Sequence, residues 1–492
     1  MKISKIACVL FLAVGATVAQ ERYPLTELRA DLESFVSDRT LSNAFIGMEV
    51  KSLRTGEIIF RHNADMDFVP ASNMKLITTA TALSTLGPDY QYRTLLMANG
   101  YISADTLFGD LYIVGSGDPT ISGRFNGGNV LQAFEDWADT LKLLNIDVVK
   151  GNIIGDNRCF DNIPIGEGWA LSWHENIYWY AAQISGLSYN DNCIDLTIGP
   201  GRIGQPAVYS INPETNYVKF VNSSVTIGDS ANTIDFHREP GTEVIDISGD
   251  FPSSLDSLEV PLAVNNPANY TADVFAETLG TEHIMVIGKT EDISEYERSH
   301  RVPPYSLMWE VASYTSPPLS EIVKVTNKRS QNLYAEQIFR TLGLVKYGLG
   351  SLANSRKVEQ TFLNSIGVDT STVEIHDGSG LSAFDLVTPD AIVRILAAMY
   401  RGDGWRYYYD SLPVAGVDGT LEFRMRGTKA EGNVHAKTGY IQNVRSLSGY
   451  LTTADGEPIA FSIFVNHFTT GVSAVNNLQD VVCTRLCNFS RR

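Results

Sequence analysis

A mixed α/β fold is expected, with one domain of helices and strands split by a long, mostly β insertion. Three observations predict it. Apolar residues recur at helical spacing near the front, in Val69 to Leu83. From about Tyr92 to Arg301 short β-like runs alternate with turn signals. After Arg301 helical patterns return, and the chain closes in three strand-like runs and a last helix. At 492 residues the chain exceeds what one hydrophobic core serves, so more than one domain is expected. The expected division is 1–19 as a leader, 20–91 with 301–492 as the split domain, and 92–300 as the insertion, with a nested unit at about 113–185.

Taken in order, Met1 to Ala19 reads as a secretory leader. Lys2 and Lys5 are its basic end, Ile6 to Val14 its apolar core, and Thr17-Val18-Ala19 a small-residue cleavage site. The mature chain is therefore expected to be exported, periplasmic or extracytoplasmic, and soluble. No later run is long and apolar enough to span a membrane. Leu25 to Val36 has the pattern of an amphipathic helix. Ala44 to Val50 and Glu57 to Arg61 read as strands around the turn Leu53-Arg54-Thr55-Gly56. Pro70 suits the approach to a helix, and Leu76, Ile77, Ala80 and Leu83 supply its buried face. Gly87-Pro88 ends it.

In the insertion, strands are expected at Gly109 to Val114, Val148 to Ile154, Ile194 to Ile198, Ala207 to Ile211, Tyr217 to Val221, Thr233 to His237 and Thr242 to Ile247. Helices are expected at Val130 to Leu144 and Tyr270 to Leu279. Beyond Arg301, helices are expected at Ser320 to Thr326, Leu333 to Gly343, Ser351 to Ile366 and Pro389 to Tyr400. Strands then fall at Val434 to Thr438, Val444 to Thr452 and Ile459 to Val465, and a last helix at Val472 to Cys487.

The balance of charge narrows the partners. The formal net charge is −18, so nucleic acid and anionic lipid should be repelled. Beyond the leader the cysteines are Cys159, Cys193, Cys483 and Cys487. Export permits disulfides, and Cys159–Cys193 is the expected bridge. Cys483 and Cys487 are four apart on a helix, which gives poor disulfide geometry. The scattered histidines form no metal-binding motif, so a metal site is not expected.

The chemistry lies in three short motifs. Ser72 and Lys75 sit three apart and share one face of a helix start. A serine hydroxyl becomes nucleophilic when a neighbour takes its proton, and a lysine whose pKa is lowered by burial can do so. Ser330-Gln331-Asn332 precedes a helical run, and Lys437-Thr438-Gly439 lies on a strand before Tyr440. Ser-x-x-Lys, Ser-x-Asn and Lys-Thr-Gly, in that order, are the motif set of serine penicillin-binding proteins and β-lactamases.

With Gly115-Ser116-Gly117-Asp118-Pro119-Thr120, Asp377-Gly378-Ser379-Gly380-Leu381-Ser382 and Pro413 to Leu421, the sequence resembles the class C low-molecular-mass penicillin-binding proteins, the DacB-like D-alanyl-D-alanine carboxypeptidase/endopeptidase family. The resemblance runs from about Leu41 to the C-terminus. It implies a five-stranded antiparallel sheet with helices on both faces, and two inserted domains. It implies that Ser72 forms an acyl-enzyme with peptidoglycan stem peptides and with β-lactams, without metal or organic cofactor. Lys75 would accept the Ser72 proton, Ser330 would pass one to the leaving amine, and Asn332 would bond the substrate amide. Lys437 and Thr438 would hold the terminal carboxylate, and the N–H groups of Ser72 and Tyr440, beside Gly439, would form the oxyanion hole.

Glu175, in Trp173-His174-Glu175-Asn176, matches an acid that reads the amine of a diaminopimelate side chain. Gln442 matches another substrate-facing residue. Relatives often carry Arg after Asp-Gly-Ser-Gly-Leu-Ser, where this chain has Ala383-Phe384. The rival readings are a β-lactamase and a catalytically idle wall-binding or scaffold protein.

Overall fold

The computed structural model describes residues 25–169, 175–228, 231–239 and 241–491. The leader expected at 1–19 lies outside the described residues, as do Trp173 and His174. Among the described residues no helix is long and apolar enough to cross a membrane.

The two ends of the chain meet in one sheet. Its five strands run in the order Ile58–His62, Phe45–Ser52, Pro458–Asn466, Val444–Thr452, His435–Ile441, each antiparallel to its neighbour. The central pairing joins Phe45 to Asn466 and Ser52 to Ile459. Successive side chains of a strand point to opposite faces, and both faces here are covered. Ile463 and Val465 pack with Leu28, Leu32, Val482 and Leu486, contributed by the helices Leu25–Val36 and Val472–Asn488. Phe464 and Ala460 point the other way, into a core with Leu76, Ile77, Ile392 and Leu396.

That second core belongs to a helical layer of Met74–Thr85, Leu319–Lys328, Asn332–Tyr347, Leu352–Ser365 and Pro389–Arg401. Met74 to Leu83 are all buried, so this helix is enclosed on every side and not amphipathic. Leu319–Lys328 instead buries one stripe, Leu319, Ile322, Val323 and Thr326. Thr388 caps Pro389–Arg401 by accepting from Ala391 N, with Pro389 at the first helical position.

The insertion is built on a seven-stranded mixed sheet. Its path is Met285–Val286, Val148–Lys150, Thr106–Val114, Arg93–Ser103, Trp309–Thr315, with Ile153–Asp156 and Thr290–Asp292 attached alongside. Leu107 and Leu111 from this sheet share one core with Trp137 and Phe275 of the helices Gln132–Leu143 and Pro267–Thr281. Ile194, Ile245 and Phe251 from three smaller sheets join the same core.

One expected boundary is corrected. The sheet does not stop at residue 300, because Trp309–Thr315 closes it against Arg93–Ser103, Thr315 facing Arg93. The Cys159–Cys193 bridge is also corrected, since all four described cysteines are free. Cys159 Sγ donates to the Gly186 carbonyl at 3.4 Å, beside Phe160, Trp169 and Ile184. Cys193 packs instead with Ala182 and Ala263.

Candidate active site

Ser72 does not sit in the first turn of the α-helix. It lies in a 3-10 turn, Ala71–Asn73, which leads into Met74–Thr85. Ala71 takes a left-handed φ of 47°. A non-glycine residue rarely adopts this conformation unless its surroundings impose it. Here they do. Ser446 Oγ donates to the Pro70 carbonyl at 2.7 Å, and Asn73 Nδ2 donates to the Lys437 carbonyl at 2.9 Å. On the other side a Cβ at Gly380 would lie 1.8 Å from the Ala71 carbonyl oxygen, so only glycine allows that approach. The turn is held between the strand His435–Ile441 and the Asp377–Gly380 loop.

Lys75 is fully buried. Its Nζ lies 3.0 Å from Ser72 Oγ, 2.7 Å from Asn332 Oδ1 and 2.6 Å from the Ser379 carbonyl oxygen. Burial pulls its pKa down to about 7, against the pull of Asp377, Glu336 and Asp385. The geometry fixes what the neutral amine does. It has two N–H donors and one lone pair, and two of its three partners are carbonyl oxygens that only accept. Asn332 and Ser379 therefore take the two N–H groups, and the lone pair is left for the Ser72 hydroxyl hydrogen.

The second motif meets the third. Ser330 has a left-handed φ of 57° at the end of the turn before Asn332–Tyr347. Lys437 Nζ donates to Ser330 Oγ and to the Thr438 carbonyl, each at 2.8 Å. Lys437 is buried, and burial with the nearby Lys75 amine pushes its pKa well below the usual lysine value. Two buried ammonium groups so placed repel each other, and an arriving carboxylate would favour the charged form of Lys437. Thr438 Oγ1 bonds Thr420 Oγ1 at 2.7 Å. Asn332 Nδ2 donates to the Tyr180 carbonyl at 2.8 Å, which leaves its second N–H for a ligand.

Gly439 is needed for close approach. A Cβ there would stand 2.0 Å from Ser446 Oγ, 2.8 Å from the Pro70 carbonyl oxygen and 3.0 Å from Ser72 N. Tyr440 follows on the same strand with its side chain 64% exposed. Gln442 is exposed in the turn to the next strand. Glu175 opens a short 3-10 turn, Glu175–Ile177, and its side chain lies outside the described residues. Beside Ala383, Phe384 is exposed and meets His376 edge to face.

Several members of the site were not singled out by the sequence. The Ser379 carbonyl is held by a buried acid on each side of its peptide. Glu336 Oε1 accepts from Gly378 N at 3.0 Å and Ser379 N at 2.9 Å. Asp377 accepts from Ser379 N, Gly380 N and Ser382 N at 3.0, 2.6 and 2.7 Å, and from Trp169 Nε1 at 2.9 Å. Burial, then Asp377, raises the pKa of Glu336. The Asp-Gly-Ser-Gly string was the available signal, but it did not disclose that a carbonyl would be the contributing group. Thr420 lies in the Pro413 to Leu421 string, which did not disclose its bond to Thr438, and Tyr180 carried no signal of this kind.

Acylation of Ser72 by an activated acyl compound should follow the neutral fraction of Lys75. Burial disfavours the ammonium, so the amine is free to accept a proton above its lowered pKa and is blocked below it. The rate should level off above a midpoint near pH 7 and fall roughly tenfold per pH unit below about pH 6. A midpoint near about pH 10, as for a solvated lysine, or a flat profile, contradicts Lys75 as proton acceptor.

Comparison with known proteins gives one consistent result. The family model described as the D-Ala-D-Ala carboxypeptidase 3 (S13) family matches residues 28–486. A D-alanyl-D-alanine carboxypeptidase of Actinomadura sp. (strain R39) is 33% identical over 480 residues, covering 95% of this chain and 85% of that protein. The D-alanyl-D-alanine carboxypeptidase DacB of Haemophilus influenzae is 25% identical over 448 residues, covering 87% of this chain and 86% of its own. The crystal structure of penicillin binding protein 4 (dacB) from Haemophilus influenzae matches in fold with a TM-score of 0.79 at 22% identity, covering 93% of this chain and 99% of that one. With a match along nearly its whole length, the chain belongs to the D-Ala-D-Ala carboxypeptidase 3 (S13) family, the class C, DacB-like penicillin-binding group that its three motifs resemble.

Proposed function

We propose that this chain is an exported serine D-Ala-D-Ala carboxypeptidase and/or DD-endopeptidase acting on peptidoglycan stem peptides, and that β-lactams acylate it. The observation that carries this reading is the Lys75 amine, buried and bonded so that its lone pair faces Ser72 Oγ at 3.0 Å. The names of the relatives support the substrate class.

The steps follow from the residues. Ser72 Oγ attacks the carbonyl of the penultimate D-alanine while Lys75 takes its proton. The oxygen of the tetrahedral intermediate gathers negative charge, and N–H donors of Ser72 and Tyr440 would stabilise it. The C–N bond then breaks, and the proton that Lys75 took from Ser72 passes through the Ser330 hydroxyl, itself bonded to Lys437, to the departing amine, which leaves Lys75 neutral again. Water attacks the acyl-enzyme while Lys75 takes its proton, the bond to Ser72 Oγ breaks, Lys75 returns the proton to that oxygen, and the shortened peptide leaves. Lys437 and Thr438 hold the carboxylate beside the scissile bond, and the free N–H of Asn332 holds the substrate amide. Glu175 and Gln442 are the proposed readers of the third-residue side chain, in a site with Ala383 where relatives often have arginine.

Penicillin labelling tests the nucleophile. The intact protein should gain one adduct mass, located on the Ser72 peptide, and Ser72→Ala should gain none while remaining folded. Labelling that persists in the variant removes Ser72 from its role. Rapid turnover of penicillin without a lasting adduct supports a β-lactamase, and no reaction at all supports an idle scaffold.

Lys437 has its own test. Lys437→Ala should lower kcat/KM on a free-acid substrate by on the order of ten- to a hundredfold, as expected from the roughly 1.5–3 kcal/mol of a charge-assisted hydrogen bond. The same substrate with an amidated C-terminus should lose much less. Equal losses on both mean that Lys437 does not read the carboxylate.

A further inference from the structure

A cavity of about 900 Å³ opens on the far side of the Ser330 turn, between the insertion and the split domain. Ligand pockets run roughly 300–1,000 Å³, so this space far exceeds what a single departing alanine occupies. Its position relates it to the reaction. Arg329 and Gln331, the two neighbours of Ser330, both line it. So does Thr420, whose hydroxyl bonds Thr438. The cavity therefore adjoins the residues that flank Ser330 and the bonding partner of Thr438, next to where the leaving amine and its carboxylate would depart.

Its charges are unevenly satisfied. Lys328 is paired with Asp418 at 2.6 Å, and Arg124 with Asp191 at 2.5 Å. The Arg329 side chain is exposed and forms no hydrogen bond or ion pair among the described residues. Gln331 is only 6% exposed, and its Nε2 donates to Asp191, but its Oε1 accepts nothing among the described residues. A buried acceptor without a donor is costly unless a ligand supplies one. A lone guanidinium suits a carboxylate.

We propose that this cavity binds the peptide on the leaving-amine side of the scissile D-alanyl bond, a second stem peptide, with Arg329 holding one of its carboxylates and Gln331 Oε1 accepting one of its N–H groups. The inference rests on the peptidase reading above and adds to it the place where a cross-linked substrate is held. A substrate losing only D-alanine has a single carboxylate on its leaving side. Its own carboxylate is taken at Lys437 and Thr438.

The test compares Arg329→Ala with the wild type on a D-alanyl cross-linked peptide dimer, on a stem pentapeptide and on penicillin. The dimer should lose roughly tenfold in kcat/KM through a raised KM. The pentapeptide and the penicillin acylation rate should change less than about twofold. Arg329→Lys should recover part of the loss, because it restores the charge without the planar fork. Equal losses on dimer and pentapeptide mean that the Ser330 turn was disturbed, and they overturn the proposal. So does a dimer unaffected by the substitution, or a wild type that cleaves the pentapeptide and not the dimer. A wild type that neither cleaves a peptide nor takes penicillin overturns the peptidase reading, and this inference falls with it.

Discussion

The structure depends on keeping one amine dry. Lys75 Nζ touches Ser72, Asn332 and the Ser379 carbonyl, groups 3, 257 and 304 residues away along the chain. An isolated ammonium in such a place is costly, so the group sheds its proton and becomes a base. That outcome needs the helix Met74–Thr85 enclosed on all sides. The enclosure in turn needs the sheet that joins both ends of the chain, and the helices that follow the insertion. A surface helix with the same Ser-x-x-Lys would carry a charged lysine and an inert serine.

Strain sits beside the amine. Ala71 and Ser330 both have left-handed backbone, and each flanks or bears a hydroxyl proposed to react. Such conformations cost about 1–3 kcal/mol each and persist where packing over-determines them. Gly380 and Gly439 do this for the nucleophile turn, because a side chain at either would strike the Pro70–Ser72 backbone. Asp377 completes the clamp by gathering three backbone N–H groups and an indole N–H around one buried carboxylate.

Much of this was legible in the sequence. Leu25–Val36, with Leu28, Leu32 and Val36 one turn apart, forms over the span that its periodicity predicts. The three motifs do converge on one site, because side-chain chemistry is written in residue types. What stayed hidden was written in the backbone. The Ser379 and Tyr180 carbonyls hold Lys75 and Asn332, and any residue has a carbonyl. The 3-10 turn at Ser72 was missed because neighbours 300 or more positions away impose it. Arg93–Ser103 was missed as a strand because its second half is exposed and lacks a sustained apolar face, and Trp309–Thr315 because its burial is broken. With that pair unseen, the boundary at residue 300 fell inside a sheet. The Cys159–Cys193 bridge failed for a related reason: an oxidising compartment permits a bond, but only three-dimensional placement makes one, and the two thiols pack in separate clusters.

Burial is what turns Lys75 from an ammonium into a base. An NMR titration of lysine-labelled protein tests it most directly, with the Lys75 side-chain signal assigned by its loss in Lys75→Met. This signal should titrate near pH 7. A signal that titrates near about pH 10.4, with the other lysines, would contradict it.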